Sequence, residues 1–321
     1  MDEFRFTPLH LMKVCFKRKY RIFHIHWPEQ IINPSRYKRI KLRLFIFFVF
    51  IKVIQLLNKK VIWTIHNLQP HERINIVLEE KLTAFLYRHA DGFISMNKFG
   101  LPLIGSRLQD TKRQKLRYLP HPIYKDYYPN RCNKVEARAR LHIPMNKFVF
   151  LFIGQIRPYK NVPAFLDAFK NLESAEKYLI IAGKVHPDLK NFLYPQIENT
   201  EEVQFFDTFI KDEDLQYFFN SADLVVTPYN QIFNSGSVFL NLTFGKPTLA
   251  PSSGVFPELQ KGIGKDLIKL YKNDITGEDL LNAMGEIKQK RNKRMPDLSE
   301  YHPEKVARGT LNFYQSLLQS H

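Results

Sequence analysis

The stretch Phe148–Asn161, FVFLFIGQIRPYKN, constrains the fold more than any other. Six apolar residues run up to Gly154, two cations follow at Arg157 and Lys160, and a helical pattern begins at Val162. A buried strand that ends in a turn and feeds a helix is where open α/β sheets bind phosphorylated ligands. Two cations three residues apart at such a turn can neutralise a diphosphate. An ordinary strand–loop–helix with two solvated cations gives the same pattern.

The residues that follow keep the alternation going. Strand-like runs at Tyr178–Ala182, Val203–Phe206, Leu224–Thr227 and Thr248–Ala250 are interleaved with helical patterns at Val162–Leu172, Asp212–Asn220 and Ser235–Phe244. This order predicts a parallel, doubly wound sheet. Within it, Asn234–Pro247 reads NSGSVFLNLTFGKP, with small polar residues and Gly236 at a helix start. The free N–H groups and positive dipole end of such a helix favour an anion, and Ser235 and Ser237 add hydroxyls. Ser and Asn capping accounts for the same residues more simply. A second phosphate-competent turn in one sheet favours the anion site.

The first half differs in charge. The 321-residue chain carries a net +17, yet residues 1–145 hold 28 Lys and Arg against 10 Asp and Glu, while the rest hold 20 against 21. Such asymmetry points to an anionic partner for the first half: a membrane surface, an acidic substrate or nucleic acid. No nucleic-acid motif is present, and the basic cluster abuts an apolar run, so nucleic acid is not expected. That cluster, Arg36, Lys38, Arg39, Lys41 and Arg43, leads into the apolar run Leu44–Leu57. The segment reads either as a membrane-surface helix with cations on lipid phosphates, or as a core helix with a basic first turn. It is too short to span a bilayer, which takes about 20 residues. Two cysteines, Cys15 and Cys132, and an acidic start without a secretory pattern predict a reduced, cytoplasmic setting.

Arg21–Gln30, RIFHIHWPEQ, is β-like up to Pro28, with His24 and His26 on one face. Lys60–Glu72, KVIWTIHNLQPHE, is a buried strand ending in His66 and Asn67, then Pro70, His71 and Glu72. Polar loops after parallel strands converge at one sheet edge. His26, Trp27, Glu29, His66 and Asn67 are therefore candidates for an acceptor side. His71 or Glu72 could serve as a general base, though Glu72 also suits a helix N-terminus. The histidines lack a compact ligand spacing such as HExxH, so no metal is expected. Ala90–Asn97 is a third strand, and Leu116–Pro129, rich in prolines and aromatics, reads as a connection leaving the first sheet.

The segments GQIRPYKNV, YLIIAG, VQFFDTFIKDEDLQYFFNSADLVVTPY and FGKPTLAPSSGVFPE, in that order, resemble the nucleotide-sugar domain of GT-B glycosyltransferases of the broad family-4-like group. IFHIHWPE and VIWTIHNLQPHE resemble acceptor-domain segments of a subset of that group. The resemblance implies an α/β chain of two Rossmann-like, doubly wound domains facing a cleft. The acceptor-side domain would span residues 1–130 and the nucleotide-sugar domain 131–303, with a final helix in 304–321 returning to the first. It implies that Gly154, Arg157, Lys160, Asn234, Ser235, Gly236 and Ser237 bind the donor diphosphate, and that Phe209, Ile210, Tyr229 and Glu258 lie at the base and ribose. It further implies a nucleotide-sugar donor and no metal or other cofactor. The function it implies is hexosyl transfer from a GDP- or UDP-sugar to a lipid-linked or polysaccharide acceptor. The basic residues 36–43 would hold the protein on the inner, cytoplasmic face of an anionic membrane. Retaining members carry two glutamates at the positions of Ile232 and Leu240, and no acid lies between Asp223 and Glu258. This departure favours an inverting transfer. The alternatives are a retaining enzyme with altered acids and a non-catalytic nucleotide-sugar-binding scaffold. The glycine-rich first strand and loop of the family is not evident, which predicts a shortened or divergent start.

Overall fold

The structure, a computed structural model, describes residues 11, 13, 15–33, 38–68, 75–198, 200–230, 232–289 and 297–319. His71, Glu72 and Arg36 lie outside the described residues. The chain divides into two compact units, one of residues 1–120 with 304–321 and one of residues 121–303. The division falls after Pro120, ahead of the boundary at 130 that the sequence suggests.

The first unit holds β1 (Ile22–Ile25), α1 (Ile40–Leu56), β2 (Lys60–Ile65), α2 (Ile76–His89), β3 (Gly92–Ser95), α3 (Gly100–Gly105), α4 (Asp110–Arg113) and β4 (Leu116–Tyr118). Its four strands are parallel and lie in the order β1-β2-β3-β4. Among the described residues this sheet winds in one direction only. Leu116–Tyr118, expected to be part of a connection, is instead the edge strand. Three residues with an exposed centre carry too little pattern to announce a strand; pairing with Phe93–Ser95 forms it.

The second unit holds α5 (Lys134–Arg140), β5 (Phe148–Ile153), α6 (Val162–Lys170), β6 (Lys177–Ala182), α7 (Pro187–Glu198), β7 (Val203–Phe206) and α8 (Leu215–Ser221). It continues with β8 (Leu224–Val226), α9 (Gly236–Thr243), β9 (Thr248–Pro251), α10 (Phe256–Ile263), β10 (Ile268–Tyr271) and α11 (Gly277–Gln289). The last helix, α12 (Pro303–Gln319), belongs to the first unit from Glu304 onward.

The sheet of the second unit runs β10-β9-β8-β5-β6-β7, all parallel. This is the doubly wound order, and winding reverses between β5 and β8. Alternation along β5 explains its unbroken apolar run. Phe148, Phe150 and Phe152 enter a core beneath α6, α9 and α10. Val149, Leu151 and Ile153 enter the opposite core against Leu215, Phe218 and Phe219 of α8. A strand covered on both faces needs apolar residues at every position. Each buried side chain contributes about 1.5–3 kcal/mol, so β5 anchors the unit and fixes where its C-terminal end lies.

In the first unit the final helix packs on the sheet. Phe313 and Leu317 form a cluster with Ile62 and Ile94. Gly92 permits that approach, because a Cβ there would fall 2.6 Å from Leu317 and 2.9 Å from Phe313.

Candidate active site

Ligands bind an open α/β sheet beyond the C-terminal strand ends at the point where winding reverses. In the second unit that point lies between Gly154, after β5, and Thr227–Tyr229, after β8. The turn at Gly154 is tight. Its φ is +128°, and Gly183 after β6 lies so near that a Cβ there would be 1.9 Å from the Gly154 carbonyl oxygen. Both positions need glycine, one for its φ and one for its space.

From that turn the chain passes Gln155 and Arg157 into a single 3-10 turn, Pro158–Lys160, which folds Lys160 inward. Lys160 is only 9% exposed. Its Nζ lies 3.1 Å from where a Gly154 Cβ would stand, 5.5 Å from the Tyr229 ring centre and 5.9 Å from that of Phe152. No carboxylate or carbonyl is paired with it among the described residues. Burial, reinforced by neighbouring Arg157, pulls its pKa down to about 8. Arg157 is half-buried, and its Nε donates to Gln155 at 3.0 Å. A buried ammonium without an anion is costly unless a ligand completes it.

The wall opposite is the start of α9. Ser235 is its N-cap, accepting from the Val238 N–H at 3.4 Å. Gly236 opens the helix without a side chain, and Ser237 accepts from the Tyr229 hydroxyl at 2.8 Å. Tyr229 is buried, with its pKa pushed upward by burial. Of the expected donor residues, Gly154, Lys160, Tyr229 and Ser237 are linked by these contacts, with Arg157, Asn234, Ser235 and Gly236 adjoining them in the chain. Phe209 stands apart, 71% exposed after β7. Ile210 packs against the core around α8, and Glu258 is half-buried in the first turn of α10. Ile232 and Leu240 both pack on apolar cores, so neither position offers a carboxylate.

His121 and Tyr124 were not singled out from the sequence, and both stand at the α9 start. A Cβ on Gly236 would be 3.5 Å from His121 Nε2 and 3.5 Å from the Tyr124 hydroxyl. Their only sequence signal is proximity to prolines in a segment that reads as a connection.

In the first unit, β1 and β2 are parallel neighbours, so the loops after Ile25 and Ile65 share one edge. His26 Nδ1 is 3.1 Å from His66 Nε2, and Trp27 stacks on His66 at 3.9 Å. His24 joins them from β1, its ring 4.2 Å from that of His26. Its nitrogens engage Thr64 Oγ1 at 2.7 Å and the Tyr314 hydroxyl of α12 at 2.5 Å. Burial, with His26 and His66 beside it, pushes the His24 pKa down to about 3, so this ring is neutral. The Glu29 carboxyl is pushed up by burial and, more weakly, by Glu79. Glu79 is buried: one oxygen accepts from the Asn75 N–H at 3.2 Å, and the other has no partner among the described residues. Asn67 is half-exposed beside His66. Among the described residues no group of three His, Cys, Asp or Glu could hold a metal ion.

Comparison with known proteins agrees with this geometry. Residues 133–263 match the family described as glycosyl transferases group 1, a span that contains both Lys160 and the α9 start. Two GDP-mannose:glycolipid 4-beta-D-mannosyltransferases of Xanthomonas campestris pv. campestris are 24% identical over 291 residues, 90% of this chain and 78% of theirs. Among solved structures, sucrose-phosphate synthase from Thermosynechococcus elongatus superposes with a TM-score of 0.70 at 15% identity, covering 98% of this chain and 77% of its own. Anabaena HepE, in complex with UDP and glucose, gives 0.68 at 15% identity, covering 97% and 84%. Residues 133–263 thus form a glycosyl transferases group 1 domain, and the chain is a glycosyltransferase of the GT-B fold.

Proposed function

We propose that this glycosyltransferase moves a hexose from a GDP- or UDP-sugar to a lipid-linked or saccharide acceptor at the cytoplasmic face of a membrane. The observation that carries the reading is Lys160: a buried ammonium at the sheet's reversal point, without an anion among the described residues, beside the start of α9. Such a site is completed by a diphosphate. Lys160, Arg157 and the α9 N–H groups then stabilise the negative charge that develops as the leaving nucleotide diphosphate departs. Fixed protein cations serving this role make a metal unnecessary. The relatives' donor, GDP-mannose, favours GDP-mannose as the first candidate.

The stereochemistry follows the same line. Forming a β-mannoside from an α-linked sugar nucleotide inverts the anomeric carbon, and positions 232 and 240 hold Ile and Leu here. Inversion needs one base to take the acceptor's proton while the hydroxyl attacks the anomeric carbon and the diphosphate leaves. His71 and Glu72 are the candidates for that base, with His26, Trp27, Glu29, His66 and Asn67 lining the acceptor side.

Membrane association is supported by α1. Leu44, Phe47, Phe50, Ile51 and Ile54 are buried, while Leu42, Phe45, Ile46, Val49, Val53 and Leu56 are exposed. A helix apolar on both faces is unsuited to water on its outer side. The first unit carries 25 Lys and Arg against 9 Asp and Glu, a net +16, and Lys38, Arg39 and Lys41 are exposed at the helix start. Anionic lipid is the occupant that satisfies both features. No described helix is long and apolar enough to cross a membrane.

The test is transfer from GDP-mannose and UDP-glucose to a lipid-linked saccharide, with and without EDTA, by wild type and Lys160→Ala. Metal-independent transfer that yields a β-linked product and is lost in Lys160→Ala is the expected result. An α-linked product would overturn inversion. Absence of both binding and transfer in folded protein would overturn the enzyme reading.

A further inference from the structure

The donor site described above offers a diphosphate cations and helix-start N–H groups, the Ser235 and Ser237 hydroxyls already accept bonds within the protein, and no Asp or Glu lies between Asp223 and Glu258. A diphosphate is well served by that, but a sugar hydroxyl needs an acceptor. His121 supplies one. Its Nδ1 donates to the Pro122 carbonyl at 2.8 Å, which leaves the lone pair on Nε2. The ring is stacked on buried Phe239 of α9, centres 5.0 Å apart and planes at 16°.

The segment carrying it is tied down on both sides. The Ile123 N–H donates to the Tyr301 carbonyl at 2.9 Å, and the Tyr124 N–H donates to Thr243 Oγ1 at 2.9 Å, at the far end of α9. Nε2 and the Tyr124 hydroxyl converge on Gly236, each 3.5 Å from where its Cβ would be. The next residue, Ser237, holds the Tyr229 hydroxyl, and the Tyr229 ring is 5.5 Å from Lys160 Nζ. The fixed acceptor and the buried ammonium, which has no anion among the described residues, therefore lie around one helix start.

We propose that His121, with Tyr124 beside it, is a sugar-hydroxyl-binding residue of the donor site, its Nε2 accepting a hydrogen bond from a hydroxyl of the bound nucleotide sugar. This rests on the donor-site reading of Lys160 and α9. The hydroxyl belongs either to the transferred hexose or to the ribose; the chemistry is the same, and the ligands tested tell them apart. A site built to hydrogen-bond a hydroxyl discriminates against ligands lacking it.

The experiment is calorimetric titration of the full chain with GDP-mannose, GDP and 2′- and 3′-deoxy-GDP, and in parallel with UDP-glucose, UDP and the deoxy-UDPs. His121→Phe keeps the ring stack and removes the nitrogen; His121→Gln keeps an acceptor and is the second variant should His121→Phe fail to fold. Loss of one such bond is worth about tenfold in Kd, about 1.4 kcal/mol. Weakening of the sugar nucleotide by about tenfold in His121→Phe, with the diphosphate unaffected and His121→Gln retaining most affinity, assigns a hexose hydroxyl. Weakening of both ligands that disappears for one deoxy nucleotide assigns a ribose hydroxyl. Equal loss for every ligand, or no loss, overturns the proposal while binding by wild type, abolished in Lys160→Ala, leaves the donor site standing. No binding by wild type overturns both.

Discussion

If the Lys160 ammonium is completed by a diphosphate, donor affinity must carry its titration. The pKa falls from the ordinary 10.5 to about 8 in the unliganded fold, chiefly through burial. At about 1.36 kcal/mol per pH unit, the buried charge costs about 3 kcal/mol. The folded pKa lies below the unfolded one, so between pH 8 and 10.5 the unfolded chain binds a proton that the folded chain has shed. Stability of the unliganded unit therefore rises with pH across that window. A bound diphosphate restores the ordinary value, so binding above pH 8 takes up a proton and weakens about tenfold per pH unit. GDP-mannose suits the assay because it has no terminal phosphate monoester to titrate. Its Kd is expected to rise about tenfold from pH 7 to 9, with net proton uptake seen by calorimetry in buffers of different ionisation enthalpy. Lys160→Arg, which does not titrate, should give a flat profile. Lys160→Met should lose binding yet melt higher than wild type when unliganded at pH 7. A wild-type profile as flat as that of Lys160→Arg would refute the reasoning.

Three further outcomes are expected. Gly92→Ala forces a Cβ to within 2.6 Å of Leu317 and should cost about 1–3 kcal/mol as overpacking, with faster amide exchange in α12. Replacing Phe45, Val49 and Val53, all exposed on α1, by Ser should reduce sedimentation with anionic vesicles and leave the melting temperature within a few degrees; unchanged sedimentation with loss of self-association by light scattering would make that face a contact between copies instead. His24 is held neutral, with a pKa of about 3 against 6.5 unfolded, so protonation of the unfolded chain should destabilise the first unit progressively as pH falls from 6.5 toward 3. His24→Gln should flatten that dependence in hydrogen exchange of β1 and α12.

Sequence legibility tracked how much physics each element keeps local. The strand Phe148–Ile153 and the helix after Asn161 were readable because a fully buried strand must be apolar throughout and a turn there needs Gly154. The α9 start was readable from its small polar residues. His121 and Tyr124 were not, since their placement depends on tertiary bonds to Tyr301 and Thr243, far along the chain. The edge strand Leu116–Tyr118 and the strand Ile268–Tyr271 escaped for a related reason: three or four residues at a sheet edge take their state from a neighbour. The apolar run in α1 supported two readings because one face packs inward, as a core helix requires, and the other stays exposed.

The distribution of acids ties these observations together. The buried cation most in need of a partner, Lys160, is closed in by the stretch between Asp223 and Glu258, which contains no carboxylate at all. Elsewhere in the same unit buried cations are paired: Arg138 is fully buried, and its Nη2 lies 2.8 Å from an Asp223 oxygen. Pairing is therefore available to this fold and, among the described residues, is absent at the sheet's reversal point. An Asp or Glu within reach of Lys160 would stabilise the protein without ligand, since an uncompensated buried charge costs several kcal/mol, and would repel the diphosphate proposed for the site. On the proposed reading, stability forgone without ligand is recovered on binding, when the ligand's own charge takes the place of the missing acid. The same absence would leave hydroxyl recognition to a neutral acceptor, the role proposed for His121.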